Sequence, residues 1–175
     1  MNALINLYAG VTAKISLYLT DITLLLARLL AASVFFQSGM TKWNGFLSFN
    51  PDKYDLFLYE FFCPDPVREG ALLLCDANTL DYVEGSSIVS FIETLAVSAG
   101  VAEIIFPILL AFGLFTRVGA AALIGMTLFI QLAVFPSWDH WWNPAVWWFI
   151  VLLSVLSMGP GRLSLDKLFG LEKAR

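Results

Sequence analysis

The stretch IVSFIETLAVSAGVAEIIFPILLAFGLF (Ile88–Phe115) decides the fold. It is apolar and long enough to cross a bilayer, which takes about 20 helical residues. Two carboxylates interrupt it, Glu93 near one end and Glu103 near the middle. Pro107 stands one helical turn after Glu103, and a helical proline has no N–H for the carbonyl four residues back. A carboxylate and a freed carbonyl therefore fall at one position at membrane depth. Each unanswered polar group there costs several kcal/mol, so other helices must answer both.

Working outward, the whole chain is of similar material. Of its 175 residues 59% are hydrophobic and only 14% charged, against about 25% charged in soluble domains. The reading is all-α: one integral membrane domain, 1–175, with the lipid bilayer as its first partner. No basic patch suits nucleic acid. A cleavable leader is not expected, because Lys14 does not precede a short apolar core with a small-residue cleavage site. Residues 1–18 read as an interfacial segment. Spans at 19–41, 88–115, 119–135 and 143–158 make a four-helix bundle. In the first, Arg28, Ala32, Phe35, Gly39 and Lys42 share one face.

Residues 43–87 break the pattern. Pro51, Pro64 and Pro66 interrupt them, and eight of the chain's 14 acids lie between Asp52 and Glu84. They read as a short extracytoplasmic cap with a surface-lying helix at Tyr54–Phe62 and a second at Val67–Leu74. Residues 136–144 carry an aromatic belt suited to headgroup depth. There Asn143 serves as an N-cap and Pro144 as the first helical residue. Lys14, Arg117, Arg162, Lys167, Lys173 and Arg175 fall on one side, and only Lys42, Lys53 and Arg68 on the other. Basic loops stay inside, so both termini are expected to be cytoplasmic.

Three groups of residues are candidates for chemistry. Arg28 and Glu103 lie on antiparallel helices and are expected to meet near the midplane, either as a structural ion pair or as a proton or substrate site. Lys42, Glu93 and His140 are expected at the outer edge beside Trp138, Trp141 and Trp142. Those rings could stack on a flat quinone headgroup. His140, its tautomer held by Glu93, would then exchange the proton while Lys42 stabilises an oxyanion. The plainer reading of the same group is interfacial anchoring. One histidine with carboxylates could also hold a metal loosely, but no spacing indicates a dedicated metal site. Cys63 and Cys75 share the oxidising side, where a structural disulfide is the default; a catalytic dithiol and free thiols are the alternatives.

At this point the chain resembles the DoxX family of small four-helix bacterial membrane proteins. The resemblance rests on Arg28, on Phe35-Phe36-Gln37-Ser38-Gly39-Met40-Thr41-Lys42, and on Glu103 followed by Gly113-Leu114-Phe115-Thr116-Arg117. It extends to His140 and to Gly159-Pro160-Gly161-Arg162-Leu163-Ser164-Leu165-Asp166. Many members carry a histidine where this chain has Ser38, and the cap is longer than usual. The resemblance implies the inner membrane of a bacterium. It implies either a redox-linked component coupling a thiol, sulfur or copper-related substrate to quinone, or a non-enzymatic partner or small transporter for secreted cysteine-rich peptide or copper handling. Redox or peptide-maturation proteins are the implied partners, and self-association stays open.

Overall fold

The structure is a computed structural model that describes residues 2–83 and 85–172. Glu84, Lys173 and Arg175, which entered the charge reading above, lie outside them. Every regular element among the described residues is helical. Four helices are long and apolar enough to cross a membrane: Leu4–Met40, Ser87–Phe112, Thr116–Val134 and Trp138–Met158.

Helix α1 (Asn2–Met40) is continuous over 39 residues, so the segment read as a separate interfacial piece runs straight into the first span. No proline interrupts it, and a helix in an apolar setting keeps its backbone groups paired by propagating. The chain's C-terminal segment meets α1 at Asp21 and Leu24. The residues before Asp21 project past that contact, and Leu4, Leu7, Tyr8 and Val11 are exposed there.

The organising helix, α3 (Ser87–Phe112), buries Ile92, Ala96, Gly100, Glu103, Pro107 and Leu110. These recur at steps of three or four, and so form one stripe. Its packing against α1 is antiparallel in a register three contacts define. A Cβ on Gly39 would stand 2.8 Å from the Glu103 carbonyl oxygen; one on Gly100 would meet Phe49, Lys42 and Trp43; one on Gly113 would strike Arg28. Helix α1 therefore ends at the level of Glu103, well short of the Ser87 end of α3.

The cap fills the outer part instead. Helix α2 (Pro51–Asp55) continues as the π-helical segment Leu56–Phe61, with Asn50 capping it through a bond from Asp52 N–H. Far from merely lying on the surface, it buries Phe57, Leu58 and Phe62 against Ile92, Ala96 and Val134. Residues 67–74, expected to be helical, are not. Their backbone is committed elsewhere: Leu72 N–H donates to Ala133 C=O at 2.7 Å and Leu74 N–H to Phe62 C=O at 2.9 Å. Cys63 and Cys75 are joined by a disulfide with Cα atoms 5.6 Å apart.

Helix α4 (Thr116–Phe129) ends in a π-helical turn, Ile130–Val134. The short α5 (Trp138–His140) is followed by a break at Asn143, with φ −153° and ψ 99°. From Pro144 the chain enters α6 (Val146–Met158), and the short α7 (Leu165–Leu168) follows. A second apolar cluster, built on Ala31, Leu110, Ala120, Leu123, Leu152 and Val155, holds α1, α3, α4 and α6 together. Glu103 lies between these two cores along α3.

The contact at Gly39 has a measurable consequence. Replacing an exposed helical glycine by alanine gains up to about 1 kcal/mol, whereas forcing atoms into a full contact costs about 1–3 kcal/mol. Gly125 has open space around it. In detergent melts, Gly39→Ala is expected to lower the unfolding temperature while Gly125→Ala holds or raises it. Equal behaviour of the two variants would contradict the close approach.

Candidate functional site

The middle layer is an ion pair. Lys42 Nζ is 2.6 Å from Glu103 Oε2, and both side chains are at least nine-tenths buried. Lys42 also reaches Ser38 Oγ at 3.4 Å. The indole N–H of Trp43, next in the chain, is buried with no hydrogen-bond partner, and the Trp43 ring meets Phe49 edge-on at 5.4 Å. Thus the carboxylate of Glu103 is answered by Lys42. Its carbonyl, left without a helical donor by Pro107, lies against Gly39. Hydroxyl, ammonium, carboxylate and an unused indole N–H gather where α1 ends.

This arrangement corrects the expected Arg28–Glu103 pair. With Gly39 across from Glu103 and Arg28 across from Gly113, the two charges are about 16 Å apart along the helix axis. Arg28 lies about nine residues into the first span and Glu103 about midway through the second, so a midplane meeting requires spans that cover the same depth. They do not, because α1 stops early.

Arg28 belongs to an inner layer. It is fully buried, donates to Leu163 C=O, and faces the charge of Asp166. Asp166 accepts the N–H groups of Phe115 at 2.7 Å and Thr116 at 2.9 Å. It thereby caps α4, which has no side-chain cap of its own. Gly113 is needed here twice over: its φ is +67°, and a Cβ would sit 1.7 Å from an Arg28 nitrogen. Arg117 binds the carbonyls of Leu156 and Ser157 and pairs with Glu172 at 2.6 Å.

The outer layer gathers other partners than expected. His140 Nδ1 is 2.6 Å from Gln131 Oε1, and its ring stacks on Phe135 at 5.0 Å. Gln131 is buried and donates to Ser137 C=O. Glu93 faces a different groove with Tyr59 and Asp81, so the trio of Lys42, Glu93 and His140 is not brought together. Nor do the tryptophans form one platform. Trp138 and Trp142 are exposed, whereas Trp141 packs on Phe149 at 5.9 Å. Gln131, Trp43 and Asp166 were not singled out from the sequence. A buried polar residue in an apolar span is the signal Gln131 offered; Asp166 offered only its place in the C-terminal motif.

The inner layer predicts a stability cycle. Asp166→Ala removes the cap of α4 and the opposite charge facing a buried guanidinium whose Nε and Nη1 make no hydrogen bond, and is expected to destabilise the protein. The double variant Arg28→Met, Asp166→Ala is expected to recover part of that loss in thermal unfolding. A harmless Asp166→Ala would show that the two do not depend on each other.

Comparison with known proteins agrees with this framework. An uncharacterized protein of Haemophilus influenzae (strain ATCC 51907 / DSM 11121 / KW20 / Rd) is 30% identical over 157 residues, covering 85% of this chain and 84% of that protein. No solved structure matches. The DoxX family matches residues 23–136, a range that contains Arg28, Lys42, the cap, Glu103 and Gln131 and stops before His140. The chain is therefore a DoxX family membrane protein.

Proposed function

We propose that this protein is a redox-linked component of a bacterial inner membrane, with both termini cytoplasmic and the cap outside. It would oxidise a thiol or sulfur compound on the outer face and deliver the electrons to quinone in the bilayer. The balance is simple. Two thiols or thiosulfates lose one electron each and join through a new S–S bond; the quinone takes both electrons and two protons, released by the thiols or, for thiosulfate, drawn from water, to become the quinol.

The single observation that carries this reading is the buried Lys42–Glu103 pair. Ion pairs inside a membrane are costly and mark pathways for ions, protons or substrates. This one adjoins Ser38 and Thr41, which are exposed and so would face lipid. A quinone ring arriving laterally would find Lys42 and the free Trp43 N–H as donors to a carbonyl oxygen whose charge grows on reduction. Glu103, a carboxylate in the resting pair, would relay to Lys42 a replacement proton taken up from water. His140, held by Gln131, is a second proton-exchanging group nearer the outer face. Redox or peptide-maturation proteins, and further copies of this chain, would be the partners of such a component.

The test uses purified protein in lipid nanodiscs and a short-chain benzoquinone. Saturable quenching of tryptophan fluorescence is expected, weakened at least about tenfold by Lys42→Met or Glu103→Gln that still fold, and thiosulfate added outside should form quinol. Quenching alike in all three proteins with no quinol would exclude the redox reading and leave a non-enzymatic role.

A further inference from the structure

Glu93 opens onto a groove of about 570 Å³ between the cap and the first two turns of α3. Its polar lining comes from three elements: Tyr59 in the π-helical segment, Asp81, Tyr82 and Ser86 before α3, and Ser90 and Glu93 on α3. Among the described residues, no cationic side chain lines it. The two tyrosine rings stand 5.8 Å apart at 73° to each other and make a corner. Tyr82 is pinned by its hydroxyl to Leu58 C=O at 2.8 Å. Asp81 is held by the Tyr82 N–H at 2.8 Å and lies 3.5 Å from the Tyr59 hydroxyl.

Glu93 has no such structural duty. Among the described residues it makes no hydrogen bond or ion pair. Helix capping does not account for it, because Ser86 already accepts the Ile88 N–H at the start of α3 and Glu93 sits a full turn further in. Burial pushes the Tyr82 phenol up to about 12; burial, and then Asp81, raise that of Tyr59. Both rings therefore stay neutral in any physiological medium. The described residues contain no group of three or more histidine, cysteine or acidic side chains that could hold a metal ion. Two carboxylates beside a corner of neutral aromatic rings are, in contrast, complementary to a cation that carries both N–H groups and a diffuse charge. The surrounding cap, acid-rich with only Lys53 and Arg68 as counter-charges, would concentrate cations at its mouth.

We infer that this groove binds an organic cation, a primary ammonium or a guanidinium, with Glu93 and Asp81 accepting its N–H groups and Tyr59 and Tyr82 holding its charge. The group could belong to a small molecule or to a lysine or arginine side chain of another protein. The site is separate from the Lys42–Glu103 pair and does not depend on the redox reading.

Calorimetric titration of the whole protein in zwitterionic nanodiscs, at constant ionic strength, tests this with butylguanidinium, butylammonium and a short flexible arginine-containing peptide. Saturable binding of the cations is expected, with butanol and butyrate giving none. Glu93→Gln, which loses no internal partner, is expected to weaken binding at least about tenfold, and Asp81→Asn with Glu93→Gln to abolish it. Melting curves establish that each variant is folded. A peptide that binds more tightly than the free cations assigns the site to a protein side chain, and the reverse order assigns it to a small molecule. Absence of saturable binding, or binding indifferent to Glu93→Gln, overturns the inference.

Discussion

Glu103 imposes the constraint on which this structure depends. Its carboxylate needs a counter-charge and its carbonyl, released by Pro107, needs a close neighbour, both at a depth where water cannot serve. Lys42 answers the first at 2.6 Å. Gly39, having no side chain, lets α1 come close enough for the second. Because the counter-charge and the close backbone contact both come from the end of α1, that end is fixed within the bundle. The outer part of the structure then has to be closed by something else. Phe57, Leu58 and Phe62 of the cap do so, packed on α3 and the end of α4. Position, cap and polar site are thus consequences of one turn of one helix.

The inner end is solved by a different device, in which the C-terminal segment supplies what the turn between α3 and α4 lacks. Phe115 has φ +47°, and its side chain cannot cap a helix. Asp166 does, from the far end of the sequence, while its charge also balances Arg28. Arg117 holds the last carbonyls of α6 in return. Each of these charges is buried or half-buried with a partner, as intramembrane ionisable groups require.

Much of this was legible in the sequence, and the misses have physical causes. Composition and the spacing of apolar residues were enough for four membrane-length helices, and Pro107 marked the place where α3 needs help. The partner of Glu103 was misjudged because periodicity tells which residues share a face but not how far one helix slides along another. Here the slide is decided by Gly39, whose role appears only when two backbones meet. Val67–Leu74 has helical composition, yet its N–H groups are taken by Ala133 and Phe62. His140 has Gln131, not Glu93, as its partner, since helix α3 carries Glu93 toward the cap instead.

What sets this bundle apart is that its most buried ion pair, among the described residues, sits between two apolar cores. A double-mutant cycle on Lys42 and Glu103, read by thermal unfolding in lipid nanodiscs, probes that pair directly. Lys42→Met and Glu103→Leu should each destabilise by about 3–5 kcal/mol, because each strands a buried charge, while the double variant should lose far less than their sum. Strictly additive losses would contradict the pairing that fixes α1 against α3.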